Sequence, residues 1–272
     1  SVYIYDSKMF DMIFLMARTD ELLSLLKIGY EKILAGNLIG IYLHGSYVFG
    51  CYNERISDLD YIVVVKEALS FDSKKRLTEY TLDYLWPLSP EKGLEFHVLL
   101  LRDTLNFKQP LAFDLYFSKM HYDEYLRDDK SYIKRMRGKD PDLAAHIMVI
   151  NNFGQVLSGR KIKNVFSRVP SEIYWQSILY DVDSARTEII SQPMYVILNL
   201  CRALAYKKDH LITSKLSGGL WALEKIPKRF SRLIQRSLSE YRSQNPIFVG
   251  QKYERAELEE FAVYMLKRID NN

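Results

Sequence analysis

The stretch "LHGSYVFGCYNERISDLDYIVVV", residues 43–65, decides how the chain is read. One apolar run ends in a Gly-Ser turn, and a second, β-branched run starts with Asp-Leu-Asp. β-Branched residues suit a half-buried pleated surface, so "LDYIVVV" (59–65) is predicted as a strand and "LIGIYL" (38–43) as the strand before it. "YVFGCY" reads as a brief helix and "NERIS" as a loop. Alternate side chains of a strand share a face, so Asp58 and Asp60 project together at its entrance. Paired carboxylates repel each other and are costly to desolvate. A divalent cation accounts for them: Mg²⁺ takes oxygen ligands and is commonly held by one or two carboxylates plus substrate phosphates. The plainer alternative is a turn glycine and two loop aspartates that cap backbone.

Ser46 supplies the complement of a metal pair. A Gly-Ser turn opening a helix aims backbone N–H groups and a hydroxyl outward, which suits phosphate oxygens, and Gly45 lets the backbone come close with no Cβ in the way. Glu95 is the third acidic group. If its run, "LEFHVLLL" (94–101), pairs beside 59–65, the carboxylate lies over the two aspartates, where it could complete a metal site or remove a proton from an attacking hydroxyl.

Bulk properties leave room for this chemistry. The 272 residues are 48% hydrophobic and 26% charged, an ordinary globular profile with apolar material for one large or two smaller domains. "MIFLMA" (12–17) and "YIVVV" (61–65) are too short to cross a bilayer. The start, "SVYIYDSKMF", has no signal-peptide pattern. Cys51 and Cys201 are isolated and read as reduced thiols, so a cytoplasmic protein without membrane association is expected. Residues 1–159 carry 19 Lys/Arg and 22 Asp/Glu, a net of −3, and the remainder 19 and 12, a net of +7. Such a split fits a metal-binding part and a phosphate-handling part, or simply two solvated surfaces of opposite sign.

Apolar residues of 6–35, among them Phe10, Ile13, Phe14, Met16, Leu22, Leu25, Leu26, Tyr30 and Ile33, fall at helical spacing and predict one or two helices. "DSKKRLTEYTLDYLW" (72–86) predicts an amphipathic helix stopped by Pro87 and Pro90. Strand, turn, strand, helix and strand make a small α/β unit. Beyond about residue 140 the period is helical: Val196, Ile197, Leu200, Cys201 and Leu204 form one stripe, and Leu258, Phe261, Ala262, Met265, Leu266 and Ile269 another. The charged stretch 127–142 is the expected boundary, giving an N-terminal domain 1–135 and a helical domain 136–272.

These residues resemble a family. The Gly-Ser…Asp-x-Asp pattern is similar to the signature of the DNA polymerase β-like nucleotidyltransferases. From about residue 38 onward the chain resembles the streptomycin/spectinomycin adenylyltransferases. "GLEFHVLL" (93–100) looks like the strand carrying their catalytic Glu, "YVILNLCRALAYKKDHLITSKLSGGLWALEKIP" (195–227) like their C-terminal helical signature, and "SLSEYRSQ" (237–244) like a later helix. The resemblance implies an α+β fold, with a small mixed sheet and flanking helices followed by a helical bundle. It implies AMP transfer from ATP to a hydroxyl of an aminoglycoside-like molecule, with release of pyrophosphate. Asp58 and Asp60 would hold Mg²⁺, two ions about 4 Å apart, with Glu95 as general base and a further metal ligand. Gly45 and Ser46 would meet ATP phosphates, Arg202 and Lys215 would hold the triphosphate, and Tyr241 would contact the adenine end. A monomer is expected.

The chain departs from that family where the acceptor would bind. "EIISQPMY" (188–195) carries Gln192 and Pro193 where carboxylates would be expected, and a tryptophan is missing from the region matching 113–125, leaving Glu188, Asp123 and Glu124 as substitutes. Transfer to a tRNA or protein, or nucleotide binding without catalysis, are the alternatives. His44 and His97 read as buried, hydrogen-bonded histidines more than as ligands, because Mg²⁺ does not need imidazole. "PKRFSRLIQRSLSEYR" (227–242) reads as a core-facing helix with a basic outer face, with RNA binding as the alternative. The absence of GxxxxGK[ST] and GxGxxG argues against P-loop and Rossmann folds.

Overall fold

The computed structural model describes residues 2–243 and 253–270, with side chains from residue 18 onward. It divides into two compact units, residues 1–169 and 170–272.

The first unit runs α1 (Val2–Leu34), β1 (Leu38–Leu43), α2 (Gly45–Val48), β2 (Leu59–Val65), α3 (Phe71–Tyr80), β3 (Leu94–Leu100), α4 (Leu101–Leu105), β4 (Leu111–Phe113), β5 (Leu115–Phe117), α5 (Tyr122–Arg127), α6 (Asp129–Arg135), β6 (Gly138–Asp140), α7 (Leu143–Phe153) and β7 (Gln155–Gly159). Five strands form a mixed sheet in the order β5-β3-β2-β1-β7, and β4 pairs with β6 separately. Only β2 and β3 are parallel; β1 runs antiparallel to β2 and β7, and β3 to β5. A parallel pair needs a crossover. Here α3 supplies it, continued by one π-helical segment (Thr81–Leu85) and a 3₁₀ turn at Pro87.

Alternation along the strands gives the sheet two unlike faces. Leu59, Tyr61, Val63 and Val65 of β2 and Leu94, Phe96, Val98 and Leu100 of β3 join Leu22, Leu26 and Tyr30 of α1 in one buried cluster. Tyr61 stacks on Phe96 with centroids 5.1 Å apart, and the Tyr30 hydroxyl bonds both Tyr61 (2.8 Å) and Thr81 (2.7 Å). The intervening residues, Asp60, Glu95 and His97 among them, belong to the other face. The N-terminal helical stretch is one helix; the side chains of Phe10, Ile13, Phe14 and Met16 lie outside the described residues.

The boundary expected between residues 135 and 136 is corrected by β7. Its residues 155–159 pair with β1 (Gly40↔Gly159, Tyr42↔Val156), so the chain returns to the edge of the first sheet before leaving it. The units divide between Val169 and Pro170 instead. The second unit contains α8 (Ser171–Asp183), α9 (Ala185–Ser191), α10 (Pro193–Asp209), α11 (Lys215–Lys225), α12 (Ser231–Arg242) and α13 (Arg255–Asp270). Both expected stripes, on α10 and α13, are buried in its core. Pro193 opens α10, where its missing N–H costs nothing, and Ser214 caps α11 in a reciprocal capping box with Ser217. No helix among the described residues is long and apolar enough to cross a membrane.

One ionic contact ties α3 to the sheet. Lys74 and Asp114, between β4 and β5, form a buried pair (Nζ–Oδ1 3.2 Å), while Asp114 also accepts from Leu69 N at 2.7 Å and from Arg137 at 3.1 Å. Removing one partner of a buried pair strands the other. Lys74→Met is expected to lower the unfolding free energy by about 3 kcal/mol, read from urea denaturation; a loss below about 1 kcal/mol would show that Leu69 and Arg137 satisfy Asp114 without it.

Candidate active site

Asp58 is the last residue before β2 and Asp60 its second residue, so the i, i+2 rule puts both carboxylates on one side of the chain. The parallel register places Glu95 directly beside Asp60. Carboxylate oxygens of Asp58, Asp60 and Glu95 consequently lie within 4.8 Å of one another, all three residues being half-buried. The expected convergence of these three groups is what the sheet produces.

Gly45 makes the arrangement possible in a way the sequence did not show. Its φ is +64°, in the left-handed region that favours glycine, and a Cβ there would stand 2.0 Å from Asp60 Oδ2. The close approach that needs glycine is therefore to the aspartate itself. His44 N donates to Asp60 O at 3.1 Å and fixes the turn against the strand entrance. Next to Gly45, the Ser46 hydroxyl is buried with no hydrogen-bond partner. Buried hydroxyls are ordinarily paired, and an unpaired one on the residue after the glycine that touches Asp60 suits a ligand that brings its own oxygens.

Behind Glu95 the structure shows groups that residue patterns did not single out. Tyr116 on β5 donates from its hydroxyl to Glu95 Oε1 at 3.2 Å. Its ring stacks on His97 with centroids 4.2 Å apart, and His97 Nε2 donates to Asp140 Oδ2 at 2.9 Å. The His97 reading as a buried, hydrogen-bonded histidine agrees with this. His44 is buried too, with its ring 4.7 Å from that of His146 on α7, whose Nδ1 is buried without a partner. Burial first, then the neighbouring imidazoles, hold His44 and His146 below the usual histidine range. His146 sits in the apolar run "LAAHIMVI" (143–150) that opens α7, which carries no spacing that would have marked it.

The Glu95 carboxyl is raised above the ordinary glutamate range. Burial is the main cause and the Asp58 carboxylate adds to it, while His146 and the Tyr116 hydrogen bond oppose it. A carboxylate so placed binds a proton more readily than one in water, or is compensated by a cation.

The nucleotide residues expected in the helical part are described within the second unit. Arg202 on α10 donates from Nε to Thr213 O at 2.8 Å and from Nη1 to Asn199 Oδ1 at 3.4 Å, which fixes the turn leading into Lys215. Lys215 opens α11 with its Nζ 4.9 Å from the centre of the Tyr195 ring. Tyr241 on α12 is half-buried against the helical core. Of the "SLSEYRSQ" match, Gln244 lies outside the described residues.

Comparison with known proteins agrees with this architecture. Residues 164–268 match the family model for the aminoglycoside adenylyltransferase C-terminal domain. Spectinomycin 9-adenylyltransferase of Campylobacter jejuni is 24% identical over 245 residues, covering 88% of this chain and 91% of that protein. The Staphylococcus aureus enzyme of the same name is 24% identical over 218 residues, covering 79% and 82%. Among solved structures, the crystal structure of spectinomycin adenyltransferase AAD(9) from Enterococcus faecialis with ATP and spectinomycin superposes with a TM-score of 0.74 at 19% identity, covering 92% of this chain and 99% of that one.

Gly45→Ala is expected to displace the Asp60 carboxylate and to weaken Mg²⁺ binding at least tenfold, because the new methyl and the carboxylate cannot share the space. Calorimetric titration with Mg²⁺ measures this, and unchanged affinity would remove Gly45 from the site. In sequence the chain is similar to aminoglycoside adenylyltransferases, most specifically over residues 164–268, and in fold it is similar to spectinomycin adenyltransferase AAD(9).

Proposed function

We propose that the protein is an Mg²⁺-dependent adenylyltransferase that moves AMP from ATP to a hydroxyl of spectinomycin or a similar aminocyclitol, releasing pyrophosphate. The observation that carries this reading is the meeting of Asp58, Asp60 and Glu95, with the Gly45-Ser46 turn closed over Asp60. The donor set fits the metal: three carboxylates offer the hard oxygen ligands that Mg²⁺ prefers, and no imidazole or thiolate is among them. When bound, Mg²⁺ would neutralise phosphate charge and stabilise the attacking and leaving oxygens.

In the proposed reaction the acceptor oxygen attacks the α-phosphorus of ATP. The new O–P bond forms as the bond to the β-phosphate oxygen breaks, the hydroxyl proton passes to Glu95, and pyrophosphate leaves. Burial suits Glu95 to that task, since its raised proton affinity makes it a stronger base than a solvated glutamate. Asp58 and Asp60 hold the metal, and Gly45 and Ser46 present the turn to the phosphates. Arg202, Lys215 and Tyr241 are assigned to the nucleotide on the family resemblance: the two cations to the triphosphate and the tyrosine to the adenine end. The spectinomycin acceptor is supported by the names of the relatives and of the structural neighbour.

Pyrophosphate release from Mg²⁺-ATP with spectinomycin, with streptomycin and with bulk tRNA tests the reading. Release with spectinomycin and not with tRNA is expected. Release with tRNA alone would replace the acceptor, and silence with all three would overturn the proposal. Asp60→Asn should abolish turnover and weaken Mg²⁺-ATP binding. Glu95→Gln should leave ATP binding in place and lower turnover roughly a hundredfold; equal loss of ATP binding would make Glu95 a metal ligand first.

A further inference from the structure

The Tyr116 hydroxyl hydrogen-bonds the Glu95 carboxylate, and its position is set from several sides. β5 pairs antiparallel with β3, with Tyr116 directly opposite His97. Opposed residues of a pair share a face, and a diagonal neighbour two residues away is within reach of a long side chain. The Tyr116 hydroxyl takes that diagonal, donating to Glu95 Oε1 at 3.2 Å.

The ring itself has little freedom. It lies on the His97 imidazole at 4.2 Å with planes 10° apart. His97 is in turn tethered through Nε2 to Asp140 Oδ2, and Asp140 is fixed by its other oxygen, which accepts from Asp142 N at 2.8 Å. The β4–β6 pairing sets the backbone of Asp140. On the other side of the ring His121 packs edge-on at 4.9 Å, and the Tyr132 hydroxyl donates to Tyr116 O. A glutamate side chain has three rotatable torsions, and a carboxylate beside Asp58 and Asp60 is repelled from where a base or ligand must be. A donor held rigidly at one carboxylate oxygen fixes a single rotamer, the one in which the carboxylate also meets the aspartate pair.

We infer that Tyr116 is a positioning residue: its hydroxyl, held by the His97–Asp140 brace, keeps the Glu95 carboxylate turned toward the aspartate pair. The inference rests on Glu95 serving the transfer reaction, and adds a residue to which that reading gave no role. Tyr116→Phe keeps the ring on His97 and deletes only the hydroxyl, with its bonds to Glu95 and Ser118. In a crystal structure of Tyr116→Phe, Glu95 is expected to rotate away from Asp58 and Asp60; an unmoved carboxylate would overturn the inference whether or not the protein turns over any acceptor.

Kinetics give the second readout. Tyr116→Phe should lower kcat roughly tenfold, the scale of one lost hydrogen bond to a charged group, with KM for ATP and acceptor and the melting temperature unchanged. In the Glu95→Gln background the same substitution should cost nothing further, because the two residues act as one unit. An equal loss in that background, or a rise in acceptor KM with kcat intact, would show that Tyr116 acts apart from Glu95. Absence of turnover in the unmutated protein would defeat the proposed reaction, and the carboxylate position would still decide the role of Tyr116.

Discussion

Three acidic side chains brought within 4.8 Å of one another, half out of water, are the constraint on which the rest of the first unit depends. Like charges at such separation repel by on the order of several kcal/mol at the dielectric of a protein surface. The fold nevertheless enforces the meeting through features that are hard to relax. A parallel β2–β3 register sets Asp60 beside Glu95, an i, i+2 relation sets Asp58 beside Asp60, and a left-handed glycine lets the Gly-Ser turn close over the carboxylate. Each belongs to the backbone, and the Tyr116 hydrogen bond holds the Glu95 rotamer that completes the meeting. A divalent cation bound among the three carboxylates would relieve the repulsion, which is the physical basis of the proposed metal site.

The two faces of the sheet show how stability and chemistry are kept apart. One face is filled with aromatic and branched residues under α1, with Tyr30, Tyr61 and Thr81 joined by hydroxyl contacts where a purely apolar packing would also have served. On the other face the same strands present Asp60, Glu95 and His97, and the groups packed against them, His44, His146, Asp140 and Tyr116, are mostly polar. Burial keeps the His44 and His146 imidazoles neutral, so they can stand near one another without adding charge to a site already crowded with it.

Much of this was legible in the sequence where one short-range rule applied. Strands 38–43, 59–65 and 94–100 stand out because they are apolar and bounded by turn residues, and period-2 alternation then projects Asp58, Asp60 and Glu95 correctly. The α10 and α13 stripes follow from period 3.6 for the same reason. Residues whose position depends on distant pairing stayed hidden. β7, "QVLSG", is polar and largely exposed, and becomes a strand because the edge of β1 offers it unpaired backbone, which carries the first unit past the charged stretch 127–142. Tyr116 lies on a three-residue strand too short to show a period, and His146 is a single polar residue within the apolar run 143–150 of α7. Gly45 was recognised, though the atom it makes room for belongs to Asp60 fifteen residues on, which only the folded chain reveals.

The central claim is that the three carboxylates form one electrostatic site, with a cation on the aspartate pair and Glu95 close enough for its charge to strengthen the binding. Calorimetric titration of the metal-free protein with Mg²⁺ over a series of pH values tests it most directly, since a ligand must be deprotonated to bind. The raised proton affinity of Glu95 predicts that affinity begins to fall on acidification while solvated glutamates are still ionised, with proton release accompanying metal uptake there, and that Glu95→Gln removes this pH dependence. Binding that is independent of pH across that range, or undiminished by Asp58→Asn and Asp60→Asn, would contradict the account.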